Sequence, residues 1–373
     1  MQNIWDYILN ITAGTAFIIL IIYFLIRLTP SPPVGEMEAA RKTLSVAGKE
    51  KADIYSKKLY SEAKVLYDSA MINWRSENKK FIFSRNYDKV VKYAEKSLKK
   101  ASEASDSSKS NTINLKTKAK LKIETLIDID NDIKSLFTHY PLPAETRNRI
   151  SKGEFLLREA EIAYKKGEYM LADRKITDSE YLLTSSYETA YSNLRSYFRS
   201  YPEWKRWIEK TIAESRDSTG YSIIVDKFSH KVFVYLNGTR KYVYSAELGK
   251  NWPGDKRIKG DKVTPEGMYK ITKKFKSDST KYYKALLLNY PNDEDTAKFM
   301  SDIARGRLPK SARIGDMIEI HGNGGKGADW TEGCIALTDR EMDSIFRIVK
   351  VGTPVTIVGS MYDFKHIINQ YLF

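Results

Sequence analysis

The pattern of apolar and polar positions changes character twice along the chain. Residues 7–26 carry no charge. Twenty residues at about 1.5 Å rise cover roughly 30 Å, the thickness of a bilayer's hydrocarbon core, so this stretch predicts a transmembrane helix or uncleaved signal anchor. Tyr7 and Tyr23 stand near its ends, where amphipathic rings favour the membrane interface. No small-x-small cleavage pattern follows, which argues against a removed signal peptide. Pro30, Pro32 and Pro33 then end the helix and form a stiff spacer.

From residue 35 to residue 215 the apolar positions recur at helical intervals and Gly and Pro are sparse. Ala63, Leu66, Tyr67, Ala70 and Trp74 form one stripe, and Tyr87, Val90, Val91, Ala94 and Leu98 another. Leu156, Ala160, Ala163 and Tyr164 continue the habit. Residues 63–101, around Asn86-Tyr87-Asp88, and residues 155–187, around Gly167-Glu168-Tyr169, both read as helix, turn, helix. Pro141-Leu142-Pro143 separates them, giving a weak repeat of the helical-hairpin kind. Such hairpins stack as a bundle or short solenoid, to bind a protein partner or to serve as a spacer. The polar run 105–112 reads as a loop between helices. Tyr201-Pro202 breaks a helix, and residues 204–212 predict a short one with Trp204 and Trp207 as core or interface anchors.

Beyond residue 220 the period becomes two. Residues 221–226, 231–236 and 241–248 alternate as strands, with Asn237-Gly238 as a hairpin turn. Residues 268–275, 285–290 and 354–358 predict further strands, residues 293–305 a helix, and Thr338-x-x-Glu341 a capping box. Residues 250–263 form a polar loop of the kind that borders sites. Residues 360–373 suit a small amphipathic helix or docking tail. The expected fold is therefore multi-domain: anchor and spacer 1–34, an all-α hairpin region 35–215, a mostly-β domain with peripheral helices 220–358, and a tail 359–373.

A 42% hydrophobic fraction in 373 residues is ample for these cores. The net charge of +15 raises nucleic acid, an anionic surface or an acidic polymer as partners. The Lys residues are scattered among Glu, Asp and Tyr without a nucleic-acid motif, which favours a solvated surface or attraction to an anionic cell envelope. No Cys/His/Asp group has metal spacing and no Gly-rich phosphate cradle occurs, so no metal and no cofactor are expected.

Candidate chemistry lies in residues 320–337, which hold the only cysteine, Cys334, and one of four histidines, His321, joined by a Gly-rich run. Their ordinary reading is structural, because a lone cysteine is most often a small buried hydrophobe. As chemistry, an imidazole beside a thiol takes its proton and raises the reactive thiolate fraction. Residues 317–320 read as a strand that delivers His321, and residues 334–337 as a second strand; if they pair, thiol and ring can meet. Gly333 leaves room for an approaching carbonyl, with the amides of Gly333 and Cys334 as oxyanion donors. His139, His230 and His366 have no partner cluster in the sequence and read as structural or surface residues.

His321-Gly322, a gap, then Thr331-Glu332-Gly333-Cys334 resembles the signature of the L,D-transpeptidase catalytic domain, the YkuD-like fold. Residues 221–226, 231–238 and 260–269, with their Thr264-Pro265-x-Gly267 turn, are similar to that domain's early strands, and Leu288-Asn289-Tyr290-Pro291-Asn292 resembles the YafK-like murein branch. The resemblance covers about residues 220 to 358. It implies a cysteine acyltransferase on peptidoglycan stem peptides, in cell-wall biogenesis, with Cys334 as nucleophile, His321 as base and a thioester intermediate. Resolution by an amine gives a cross-link or attached protein; resolution by water gives trimming or release. Thr331 and Gly322 are then site support, and Glu332, Trp330 and Thr264 shape substrate entry. Ala336 replaces the arginine that most members carry two residues after the cysteine, and Glu332 replaces a common histidine. Those departures support a rival, a non-catalytic scaffold that docks on peptidoglycan.

Topology is contested by two arguments. No Lys or Arg precedes the apolar stretch while Arg27, Arg41 and Lys42 follow it, which by the positive-inside rule favours a cytoplasmic body and hence a cytoplasmic thiol hydrolase. Access to peptidoglycan demands the periplasmic or extracytoplasmic side of the cytoplasmic membrane, and the rule weakens for long translocated domains. The second argument sets the expected localisation.

Overall fold

In the computed structural model of the protein, residues 2–138, 140–218 and 220–372 are described, residues 2–6 and 28 without their side chains. His139, expected as a structural or surface residue, and Phe373, expected in the tail, lie outside them. The uncharged stretch forms α1 (Gln2–Leu28). Its segment Tyr7–Arg27 is long and apolar enough to cross a membrane, with mean hydropathy 2.3 and none of it buried.

After the prolines come α2 (Val34–Lys49), α3 (Ala52–Tyr55), α4 (Lys57–Asn78), α5 (Asp88–Phe137), α6 (Ala144–Lys165), α7 (Tyr169–Tyr197) and α8 (Tyr201–Asp217). The expected stripes are the buried faces. Met37 and Ala40 of α2, Ala70 of α4, Tyr87 just before α5, and Val90 and Ala94 of α5 form one core, with Tyr67, Met71 and Trp74 packed on it. Ala47, Ala52 and Ala104 form a second with Leu59 and Tyr60. These pairings make α2, α4 and α5 an antiparallel set whose small residues let the axes approach.

One expectation fails here: residues 105–112 are not a loop but the middle of the 50-residue α5. Ala101, Ala104, Ser105 and Ser108 are buried at the i, i+3, i+4, i+7 spacing of one helix face. Their smallness serves close packing, and Ser108 Oγ donates to the Glu50 carbonyl at 2.5 Å. The two hairpins share such a device: Ser97 Oγ donates to the Ala63 carbonyl and Ser179 Oγ to the Gly153 carbonyl, both at 2.8 Å.

The chain divides into two compact units, Met1–Glu124 with Arg158–Thr177, and Thr125–Leu157 with Asp178–Phe373. The second contains one eight-stranded sheet in the order β3-β2-β1-β8-β4-β5-β6-β7. Its strands are β1 (Tyr221–Asp226), β2 (Lys231–Leu236), β3 (Thr239–Ser245), β4 (Gly267–Phe275), β5 (Ala285–Leu288), β6 (Glu319–His321), β7 (Ile335–Ala336) and β8 (Pro354–Val358). Three helices accompany them: α9 (Asp293–Ala304), α10 (Asp339–Ile348) and α11 (Phe364–Leu372). Asn237 and Gly238 turn β2 into β3 with positive φ at both residues, and Thr338 and Glu341 make the expected capping box of α10. The β1–β8 and β6–β7 pairs are parallel. The sheet curls: just beyond β3, Glu247 exchanges two backbone hydrogen bonds with Ala336 of the far strand β7, at 2.9 and 2.8 Å.

Helix α8 packs its Trp204 face on β1 and β8, where Thr211 Oγ1 meets Thr356 Oγ1 at 2.5 Å. Lys227, fully buried, donates to the carbonyls of Gly254 and Thr264 and to Glu266 Oε1 at 2.6 to 2.8 Å. Glu266 also receives the Tyr197 hydroxyl at 2.7 Å and Trp204 Nε1 at 3.0 Å. One buried ion pair thereby ties the loop between β3 and β4 to the ends of α7 and α8.

Candidate active site

His321 closes β6 between Ala285 of β5 and Ala336 of β7. Cys334 immediately precedes β7. Side chains alternate along extended chain, so Cys334 and Ala336 share a face, and the parallel register sets Ala336 beside His321. The expected pairing of the two strands is therefore present.

The imidazole is tightly specified. Nδ1 lies 2.6 Å from the Gly322 carbonyl, an acceptor only, so Nδ1 carries the proton. Nε2 is left as a buried lone pair without a hydrogen-bond partner among the described residues. The Tyr282 ring stacks on the imidazole at 3.5 Å and 6°, and Trp330 meets it edge-on at 5.8 Å. Burial, helped by the nearby charges of Lys281 and Lys326, lowers the His321 pKa to about 4. The ring is neutral at pH 7.

Cys334 Sγ points to the Met317 carbonyl at 3.6 Å, and burial pushes its thiol up to about 11. The expectation that the imidazole raises the resting thiolate fraction is thus reversed. Both groups are buried in their neutral forms, because desolvation outweighs any mutual charge stabilisation.

The remaining expected residues surround this pair. Thr331 Oγ1 donates to the Cys334 carbonyl at 2.8 Å and accepts the Gly333 amide at 3.2 Å. The Gly333 amide is therefore engaged, contrary to its expected role as an oxyanion donor. Gly333 has φ +128°, and a Cβ there would lie 2.6 Å from the Val263 carbonyl oxygen. Gly322 is also closely packed, with Asp339 Oδ1 2.7 Å from the place of a Cβ. Thr264 is buried, its Oγ1 accepting the Gly249 amide at 3.0 Å, so it braces backbone instead of facing substrate. Glu332 is exposed beside Lys262 at 3.5 Å.

Three groups escaped the sequence reading. Glu247 accepts the Gly327 amide at 2.6 Å and Trp330 Nε1 at 2.7 Å, pinning the loop between His321 and Cys334. Asp329 in that loop accepts the Leu248 amide at 2.7 Å and pairs with His230 Nε2 at 2.9 Å, so His230 does have an acidic partner. Tyr282 is the third. Each lies in a turn or strand end with no motif of its own, and only the curled sheet and the hairpin between β4 and β5 bring it here.

The site thus sets a histidine-bearing strand parallel to a Gly-Cys strand end, braced by the Thr331 hydroxyl. Residues 220–357 match the YkuD family, the L,D-transpeptidase catalytic domain. Over 117 residues the chain is 30% identical to YafK of Escherichia coli (strain K12), itself a candidate L,D-transpeptidase, covering 30% of this chain and 39% of that one. The chain thus spans about two fifths of the length of the curated relatives it matches. Similar solved structures include Bd1075 of Bdellovibrio bacteriovorus, 21% identical with TM-score 0.31 over 42% of this chain and 54% of that one. Pgp2 of Campylobacter jejuni, a helical cell shape determining protein, is 23% identical with TM-score 0.30 over 42% and 56%. The site described above lies within the residues that match this family.

Proposed function

We propose that the protein is a membrane-anchored cysteine acyltransferase that acts on peptidoglycan stem peptides, with α1 in the cytoplasmic membrane and the YkuD domain on the peptidoglycan side. His321 Nε2, buried and without a hydrogen-bond partner among the described residues while the proton sits on Nδ1, supports this reading, since such a lone pair suits a base that accepts a proton. Cys334 Sγ attacks the carbonyl at the L-centre of the diamino-acid residue while its proton passes to Nε2. The Cys334 amide holds the oxyanion. The C–N bond to the terminal residue then breaks, His321 returns the proton to the leaving amine, and a thioester remains on Cys334. An acceptor amine, or water, gives its proton to Nε2 as it attacks the thioester and restores the thiol.

Intact-mass analysis of the body from residue 34 onward, incubated with purified muropeptides, tests this. A Cys334-dependent acyl adduct, lost in Cys334→Ala and His321→Ala, is the expected result, and product masses separate transfer from hydrolysis. Identical traces from folded wild type and Cys334→Ala would leave the non-catalytic scaffold as the reading.

A further inference from the structure

The turn between α4 and α5 presents Phe81, Ile82 and Phe83 to solvent, 73%, 40% and 43% exposed. It is a built tip. Arg85 Nε and Nη2 donate to the carbonyls of Lys80 and Asn78, both at 3.1 Å. Glu77 accepts the Asn86 amide at 3.0 Å and Lys80 Nζ at 2.7 Å, and the Tyr87 hydroxyl donates to Asn78 Oδ1 at 2.7 Å. Phe81 and Phe83 meet edge to face at 5.6 Å. Polar side chains are thus used to hold apolar ones outward, against the usual direction of folding. Lys79, Lys80, Arg85 and Lys89 flank the trio in the sequence, with Glu77 and Asp88 the acidic residues of that stretch.

The two helical cores say which way the tip faces. Met37 and Ala40, at the start of α2, are level with Ala70 of α4, whereas Ala47, near its end, is level with Leu59 and Tyr60. Helix α4 therefore returns toward the start of α2 and runs on past Ala70 to Asn78, roughly 12 Å further. The chain from Arg27 to Val34 reaches at most about 25 Å. The apolar tip accordingly lies at the end of the α2–α4–α5 bundle from which the chain leads to α1.

We infer that residues 81–83 insert into the headgroup region of the bilayer that α1 crosses, with Lys79, Lys80 and Lys89 against anionic lipids. Aromatic and aliphatic side chains flanked by lysines suit that boundary, where apolar burial and surface charge attraction act together. This second contact fixes the bundle's orientation on the membrane, which a single helix on a proline spacer does not. The inference rests on the reading of α1 as the membrane anchor.

The test uses the full chain reconstituted in vesicles of phosphatidylglycerol and phosphatidylcholine, and of phosphatidylcholine alone. A nitroxide is placed at Ile82→Cys or, as control, at the exposed mid-α4 position Val65→Cys, both in Cys334→Ala. In anionic vesicles, oxygen collisions should rise and nickel-chelate collisions fall several-fold at position 82 relative to position 65. The contrast should shrink in phosphatidylcholine alone and in Lys79→Glu/Lys89→Glu, whose fold is checked by circular dichroism. A label at position 82 as water-exposed as at 65, in a chain retained after alkaline carbonate, overturns the tip contact alone. Dipolar broadening between labels at 82 overturns it in favour of pairing between two copies. Release of the chain by carbonate overturns the anchor reading and this inference together.

Discussion

Replacing Thr331 by Val tests the brace under Cys334. Thr331 is 2% exposed, and Val reproduces its shape while deleting the hydroxyl that donates to the Cys334 carbonyl and accepts the Gly333 amide. One lost neutral hydrogen bond costs about 1 kcal/mol, and an unsatisfied buried N–H adds about 1–3, so a total of about 2–4 kcal/mol is expected. Thr331→Ser keeps the hydroxyl and removes one methyl, for about 1 kcal/mol. Urea unfolding of the body from residue 34 measures the first quantity, and the rate of Cys334 acylation by a carbapenem, followed by intact mass, measures its effect on chemistry. If about half the loss is felt at the barrier, acylation slows about tenfold in the Val variant, and the Ser variant stays close to wild type. A Val variant within about 0.5 kcal/mol of wild type and equally reactive would refute the brace, as would a Ser variant as damaged as Val.

Two further outcomes follow from buried charge. His321 has a pKa lowered to about 4 in the fold against about 6.5 unfolded, so the unfolded chain binds the proton first as pH falls. Its stabilising contribution is complete above about pH 6.5 and lost as pH drops through about 4, about 3 kcal/mol in all; chemical denaturation at pH 7 and pH 4 should lose that dependence in His321→Ala. Lys227→Ala leaves the Glu266 carboxylate buried without its cation, and thermal unfolding should report a loss of about 3–5 kcal/mol; a shift equivalent to less than about 1 kcal/mol would mean that Tyr197 and Trp204 alone satisfy that carboxylate.

Much of the architecture was readable because periodicity reports burial directly. The stripes of α4 and α5, the Asn237-Gly238 turn, the capping box of α10 and the strand before His321 all follow from local pattern. The reading of residues 105–112 failed because Ser is ambiguous: it breaks helices when solvated and packs them when its hydroxyl finds a carbonyl, as that of Ser108 does. His321 and Cys334 were legible as residue types in a motif, but their protonation was not, since it depends on the depth to which Tyr282 and the sheet bury them. Glu247 was invisible for a different reason: its partners lie about eighty residues away and reach it only through sheet closure.

The Glu266 carboxylate also sets where this protein can be cut. The recognisable sequence unit begins at residue 220, yet of the three side chains that donate to that carboxylate only Lys227 lies within it, Tyr197 and Trp204 preceding it, and a Cβ on Gly359 would approach the Trp204 ring to 2.2 Å. A gene fragment trimmed to the recognisable unit would expose an indole-shaped hollow and leave the carboxylate with Lys227 as its one remaining side-chain donor among those three. The inheritable module and the self-sufficient folding module are different lengths of chain, and swaps between relatives should carry α8 and the end of α7 along with the sheet.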